Sequence, residues 1–209
     1  LGSGSFPELA HASIAVLGPS SVSSTSYGAV WSFLEQDVGI AFTSISAGDF
    51  GRSLDRFDVL VIPSGFRGSG LGERSKEALA DWVRAGGVLL ALGSSAFQCG
   101  ESGLGLVSHE VKKAPEKEKS ETKRRTLADV REERRLQQVP GNIVRIDLDP
   151  DHPISFGQSS RVHSFIGSAR IFDLKGDAGD VGVLAGENPV VSGFISEENQ
   201  QALSGGGWL

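Results

Sequence analysis

The stretch FDVLVIPSG, from Phe57 to Gly65, decides the fold. Its Val-Leu-Val-Ile centre is a continuous apolar run, which is typical of a strand covered on both faces. A similar run, ASIAVLG (Ala12–Gly18), precedes it, and GGVLLALGSS begins at Gly86. Because strands alternate with helices, the sequence predicts a parallel sheet with helices on both sides and ligand sites at the carboxyl ends of its strands.

The segments between these runs have helical spacing. SYGAVWSFLEQDVG predicts a helix that stops at Gly39, and IAFTSIS (Ile40–Ser46) predicts a further strand. ERSKEALADWVRAGG places Leu79, Trp82 and Val83 on one stripe and ends in two glycines, which are a strong helix stop. We expect this stripe to face the sheet.

Composition narrows the class of protein. The chain has 209 residues, of which 39% are hydrophobic and 22% are charged, as in a globular protein. Its one cysteine, Cys99, excludes an intrachain disulfide and a zinc site built from several thiolates. No apolar run reaches the roughly 18 residues of a membrane span, and the N-terminus lacks the pattern of a signal peptide. We expect the chain to begin inside a longer protein.

The formal net charge of −6 is unevenly distributed. Between Lys112 and Arg135 lie ten of the twenty basic residues and six acidic ones, so the remainder has ten basic and twenty acidic residues. Such a remainder repels nucleic acid, and the basic segment has no aromatic residues to stack bases. We interpret the segment as a mobile excursion or an exposed helix, in preference to a partner-binding arm.

The second half of the chain has a different sequence pattern. NIVRIDLDPDHPISFG, ARIFDL, VGVLAG and NPVVSGF are short β-like runs, and SEENQQALSG is a helix candidate. These runs either continue the first sheet or form a β-rich addition. The predicted organisation is a core over 1–107, a charged excursion over 108–139 and a β-rich continuation of the same domain over 140–209.

The strand that starts at Val88 runs into GSSAFQCG, a strand-to-helix turn that carries the nucleophile in several α/β enzyme families. Ser94 and Ser95 are weak nucleophile candidates because they lack the Gly-x-Ser-x-Gly pattern, and a structural role is favoured. Cys99 is interpreted as a buried, inert thiol. The glycine-rich GFRGSGLG, with Ser64, Gly65, Gly68 and Gly70, is a ligand-binding candidate without the lysine of a phosphate loop.

Metal chemistry has less support. In DLDPDHP, the alternating Asp147, Asp149 and Asp151 offer carboxylate oxygens of the kind that calcium prefers, but a proline-broken acidic loop is more often a turn. No histidine-glutamate or paired-cysteine spacing of a metal site occurs. We therefore assign no metal to this chain.

The strand, helix and turn from Ala12 to Phe97 resemble the core of class I glutamine amidotransferase-like domains, which have a flavodoxin-like fold. In active members, the elbow after the strand equivalent to Val88–Leu92 has the form Gly-x-Cys-x-Gly, and here the cysteine position falls on Gly93. Ser64-Gly65 stands where the family has a Gly-Gly that helps to form an oxyanion site. The family's histidine has no counterpart motif around His109, His152 or His163, so the resemblance implies a module without catalysis.

The order of motifs in Leu136–Gly157 and Val190–Gly205 is similar to amidotransferase-like domains that lie C-terminal to the catalytic domain of bacterial zinc carboxypeptidases, in the carboxypeptidase A-like family. In that family, a strand continues beyond the point where this chain ends, so we expect a truncated C-terminus. The resemblance implies that zinc and its ligands belong to an upstream domain of the same polypeptide. It also favours a periplasmic or secreted location.

These observations predict a non-catalytic accessory domain of a zinc metallocarboxypeptidase that packs against the peptidase domain or binds a ligand or partner. A serine-dependent hydrolase that uses Ser94 or Ser95, and a small-molecule sensor that uses the Gly65–Gly72 loop, are the alternatives. We expect neither nucleic acid nor membrane as a partner, and a homo-oligomer stays open. The ligand and the full-length architecture are not fixed by the sequence.

Overall fold

The computed structural model describes residues 11–68, 71–100, 103–107, 109–112, 126–176, 179–186 and 188–208. The chain divides into two compact units, Leu1–Ser108 and His109–Leu209. In the described part of the chain, no helix is long and apolar enough to cross a membrane.

The first unit is built on a parallel sheet of four strands: β1 (Ile14–Leu17), β2 (Thr43–Ile45), β3 (Val59–Ile62) and β4 (Val88–Ala91). The strand order is β2-β1-β3-β4, and every neighbouring pair is parallel. This is the start of the flavodoxin-like order, so the predicted fold class is confirmed.

Helices connect the strands of this sheet. Helix α1 (Ser24–Ser32) continues into a π-helical turn, Phe33–Val38, and α2 (Phe50–Ser53) lies between 3₁₀ turns at Ala47–Asp49 and Leu54–Arg56. Helix α3 (Glu73–Arg84) precedes β4. Since β1 connects outward to β2 while the later crossovers run the other way, right-handed crossovers place α1 on the face opposite α2 and α3.

The core of the first unit lies between the sheet and the α2–α3 side. Alternate strand residues such as Leu17, Leu60 and Ile62 are fully buried there. Leu79 and Trp82 of α3 pack into the same cluster, with Val83 partly buried beside it, as the helical stripe predicts. The Trp82 indole N–H also donates to the Phe57 carbonyl at 3.0 Å. Because this ring is both packed and hydrogen-bonded, it holds α3 against the start of β3.

The second unit holds a separate antiparallel sheet, so the C-terminal β-rich part is an addition to the parallel sheet. Strand β5 (Asn142–Leu148) lies between β6 (Arg161–Ile166) and β7 (Gly182–Leu184), and β8 (Val190–Ser192) also pairs with β5. Helix α5 (Glu197–Leu203) follows β8 and contributes the fully buried Leu203 to this unit's own core.

The second sheet differs from the sequence prediction in which segments form strands. ARIFDL forms isolated bridges at Phe172 and no strand, whereas the unpredicted RVHSFI is β6, the longest partner of β5.

The charged excursion contains α4 (Leu127–Gln137), which begins with a capping box at Thr126 and Asp129 and has no buried residue. The part of the excursion over 113–125 lies outside the described residues.

Candidate functional site

The carboxyl ends of β1, β3 and β4 meet at one edge of the parallel sheet. The loops that leave this edge are 18–23 after β1, 63–68 after β3 and the 3₁₀ turn Gly93–Gln98 after β4. The strand order reverses between β1 and β3, and such a reversal opens the crevice where flavodoxin-like folds bind ligands. The geometry of these three loops therefore tests the candidate residues.

Gly93 occupies the elbow after β4 with a φ of +54°, in the left-handed region that favours glycine. A Cβ built on Gly93 would lie 2.9 Å from the Ser64 Oγ and 3.1 Å from the Ser64 Cβ. The left-handed elbow is thus present, but the Ser64 side chain stands in the space into which a side chain at position 93 would project.

Ser64 and Ser94 close a small hydroxyl network across this elbow. Their Oγ atoms are 3.0 Å apart, the Ser94 N–H donates to the Ser64 Oγ at 3.2 Å, and the Gly65 N–H donates to the Ser94 Oγ at 3.0 Å. Both hydroxyls are therefore bonded to backbone and to each other. Activation of either as a nucleophile requires a base that takes its proton, and no imidazole is among their partners in the described part of the first unit.

Ser95 is a structural residue of the same turn. It is fully buried, donates from its Oγ to the Pro63 carbonyl at 2.6 Å and accepts from the Phe66 N–H at 3.0 Å. These bonds join the turn after β4 to both sides of the loop after β3. The hydroxyl satisfies backbone groups that would otherwise be buried without partners.

Cys99 follows the turn and is buried, with its Sγ 3.7 Å from the Ser95 carbonyl. Loss of solvation raises the pKa of the Cys99 thiol to about 11. The thiol is therefore neutral near pH 7, where a nucleophile or metal ligand needs the thiolate.

The crevice between the loops after β1 and β3 is closed by direct contacts. The Ser23 N–H donates to the Ser64 carbonyl at 2.9 Å, and the Ser64 N–H donates to the Ser26 Oγ at 2.8 Å. Gly65 has a φ of +99°, and a Cβ there would lie 2.7 Å from the Ser23 nitrogen. Ser23 and Ser26 were not predicted as site residues, and the Ser-rich character of this loop was the available signal.

Gly68 of the glycine-rich loop also packs inward. A Cβ on Gly68 would meet the Leu104 side chain at 3.2 Å, so this glycine allows a close apolar contact. Gly70 lies outside the described residues.

The histidines that the sequence analysis weighed belong to the second unit. His109 Nε2 lies 2.9 Å from Asp180 Oδ1, the His152 ring accepts from the Ile154 N–H at 3.2 Å, and His163 pairs with Arg145 across β5 and β6. His11, in the first unit, precedes β1 and so lies at the opposite edge of the sheet from the elbow.

The acidic loop is built as a turn. Asp147 pairs with Arg161 at 2.6 Å, which lowers the pKa of that carboxyl, and Asp149 accepts from the Asp151 N–H at 3.0 Å. The described residues contain no group of three or more histidine, cysteine, aspartate or glutamate side chains that could hold a metal ion.

Comparison with known proteins gives structural neighbours at low identity. No protein-family model matches the chain, and no curated protein does. One solved structure, provisionally assigned as a GMP synthase subunit from Thermoplasma acidophilum, has a TM-score of 0.49 at 12% identity over 85% of this chain and 75% of its own. Another, provisionally assigned as a ThuA-like protein from Bacteroides uniformis ATCC 8492, has a TM-score of 0.46 at 12% identity over 95% of this chain and 82% of its own.

Proposed function

We propose that the first unit is a non-catalytic, amidotransferase-like accessory domain. The observation that carries this proposal is the occupied elbow: position 93 has no side chain, and Ser64 lies 2.9 Å from where its Cβ would be. A cysteine at this position could not adopt an unhindered attacking geometry without displacing Ser64.

The backbone donors around the elbow support the same proposal. An oxyanion site needs N–H groups free to bind the charge that develops in the transition state. Here the Gly65 N–H is directed to the Ser94 Oγ, and the Ser94 N–H to the Ser64 Oγ. Two donors that a catalytic relative would direct at a substrate are used within the protein.

The test is covalent labelling of the full chain with a fluorophosphonate and turnover of an activated ester. We expect no stoichiometric adduct and no activity above that of Ser94→Ala, because the hydroxyls of Ser94 and Ser95 have no base among their hydrogen-bond partners in the described residues. Gly93→Cys is also expected to show no glutaminase activity, since this variant supplies a nucleophile but still has no base beside the elbow among the described residues. An adduct that maps to Ser94 or Ser95, and disappears in the corresponding alanine variant, would establish the serine hydrolase alternative.

For the parent protein, the proposal is a zinc metallocarboxypeptidase whose peptidase domain lies upstream and holds the zinc. The support is the order of motifs in Leu136–Gly157 and Val190–Gly205. The domain would then pack on that peptidase domain or bind its ligand or partner. The coding sequence upstream of Leu1 tests this: a carboxypeptidase zinc motif is expected, and a start codon close to Leu1 would contradict the proposed parent.

A further inference from the structure

Beside the closed crevice, an open cleft of about 710 Å³ lies at the same edge of the parallel sheet. Its walls are the loop after β1, strand β2 with the residue that follows it, and the segment from Asp49 to Arg56 around α2. The cleft is within the size range of small-molecule sites, roughly 300–1,000 Å³. It lies at the carboxyl ends of β1 and β2, where an open α/β sheet can bind ligands.

Two arginines give the cleft its charge. Arg52 and Arg56 both line it, together with the single carboxylate of Asp49, so the wall carries two positive charges and one negative charge. In the described part of the chain, neither guanidinium forms an ion pair with a carboxylate. By contrast, Lys76 and Arg84 on α3 pair with Glu73 and Asp81 at 2.8 and 2.7 Å.

The two guanidiniums are close in sequence but belong to different helical turns. Arg52 is in α2, and Arg56 is in the 3₁₀ turn that follows it. The chain has a net charge of −6, and hence carboxylates in excess, yet neither guanidinium has a carboxylate partner among the described residues. The Arg56 guanidinium lies 5.7 Å from the centre of the Phe57 ring, a contact that restrains the group without neutralising it. Both charges therefore remain available to an anion.

The opposite wall is small and rich in hydroxyl groups. Ser20, Thr43, Ser44 and Ser46 contribute side chains that can donate to or accept from a polyol. Gly18 lets the loop after β1 approach β2 closely, because a Cβ there would lie 3.0 Å from the Ser44 Oγ. Ile45, which also lines the cleft, is buried in the core of the first unit.

We propose that this cleft binds a small phosphate ester of a hydroxylated compound, of the size of a sugar phosphate. The guanidinium fork matches the oxygens of a phosphate group, and two forks with one opposing carboxylate suit a dianion better than a monocarboxylate. The serine and threonine hydroxyls and the Asp49 carboxylate recognise the hydroxyl groups of the ester. The proposal goes beyond the proposed function and does not depend on whether Ser94 is catalytic.

Isothermal titration of the full chain with glucose 6-phosphate tests this chemistry, with glucose and inorganic phosphate as matched probes. Because both arginines are solvent-exposed, we expect a dissociation constant of about 0.1–1 mM. Glucose 6-phosphate should bind at least about fivefold more tightly than inorganic phosphate, and glucose should show no saturable binding at about 10 mM. Amide shifts in the NMR spectrum should centre on Gly18, Ser20 and Ser44.

The charge requirement is tested by Arg52→Gln combined with Arg56→Gln. This variant should bind glucose 6-phosphate at least about tenfold more weakly, since two charge-assisted contacts are lost. Arg74→Gln, which removes one exposed positive charge from α3, is the control and should change affinity less than about twofold. Retained circular dichroism and melting temperature show that both variants are folded.

Three results would overturn the proposal. The first is no saturable binding of glucose 6-phosphate by the wild-type chain. The second is equal affinity for glucose 6-phosphate and inorganic phosphate, which would remove the hydroxylated part of the ligand. The third is an equal loss of affinity in Arg74→Gln, which would reduce the effect to general charge. None of these results bears on labelling of Ser94, so failure of this proposal and failure of the proposed function are distinguishable.

Discussion

Replacing Gly93 with alanine measures how firmly the elbow is closed. A non-glycine residue in the left-handed region costs about 1–2 kcal/mol, and the φ of Gly93 is +54°. The new Cβ would also lie 2.9 Å from the Ser64 Oγ and 3.1 Å from its Cβ, so Ser64 has to move. That movement breaks its hydrogen bond to Ser94, which adds about 0.5–1.5 kcal/mol. We therefore expect Gly93→Ala to lower the free energy of unfolding by about 1.5–3.5 kcal/mol.

A matched glycine separates the two contributions to this cost. Gly39 caps the π-helical turn with a φ of +73°, and a Cβ there would have no atom within 4 Å. Gly39→Ala therefore carries the conformational cost alone, about 1–2 kcal/mol. Urea unfolding, followed by circular dichroism, provides both values.

A double-mutant cycle assigns the remainder to Ser64. Ser64→Gly removes both atoms that the new Cβ would approach, so Gly93→Ala should cost about 1 kcal/mol less in that background than in the wild type. The reasoning is refuted if Gly93→Ala costs no more than Gly39→Ala and the cycle shows no coupling. In that case the space beside Gly93 is open, and the occupied elbow no longer supports the proposed lack of catalysis.

Four further substitutions test the packing around the site and in the second unit. Trp82→Ala should destabilise the chain by about 3–5 kcal/mol in urea unfolding, because a buried ring and its hydrogen bond to a backbone carbonyl are lost. A change too small to resolve would place the ring at a partner surface. Ser95→Ala should cost about 1–3 kcal/mol because a buried N–H loses its acceptor, whereas the exposed Ser94→Ala should cost less than about 1 kcal/mol; the reverse order would contradict the assigned contacts. Burial opposes ionisation of Asp180, but hydrogen bonds from His109 and two backbone N–H groups hold its pKa below the usual range. The ionised carboxylate therefore stabilises the fold fully above the unfolded-state pKa of about 4, and this stabilisation declines as the pH falls through the lower folded-state pKa. A pH series of unfolding free energies should show this decline in the wild type and a smaller one in Asp180→Asn; identical slopes would show that the carboxylate contributes nothing.

The parallel sheet could be predicted because local sequence patterns identify its strands. The apolar runs of β1, β3 and β4 are continuous, and the stripe on α3 has a clear helical period. The antiparallel β6 was missed because its run is short and its alternation of polar and apolar residues breaks at Ser164 and Phe165. Its identity as a strand depends on pairing with β5, which is a nonlocal contact.

The candidate site was predicted in its residues but not in its contacts. The glycine at position 93 is visible in the sequence, whereas the approach of Ser64 depends on the register between β3 and β4. That register pairs Ile62 with Ala91, so Ser64 and Gly93 each follow two residues later and become neighbours. A site that includes Arg52 could not be predicted from the sequence either. The hydroxyl residues of β2 come beside α2 only because β2 lies at the edge of the sheet.

The carboxyl edge of the sheet therefore has two parts with opposite chemistry. Between β1 and β3, backbone and serine groups bond to one another and leave no space for a side chain at Gly93. Between β1 and β2, two guanidiniums without carboxylate partners among the described residues face a wall of hydroxyl groups. A ligand at the first part would have to break bonds already made, whereas a phosphate at the second would supply a negative charge that the two guanidiniums lack among the described residues. Binding at this edge is for that reason expected beside the switch point of the sheet and not within it.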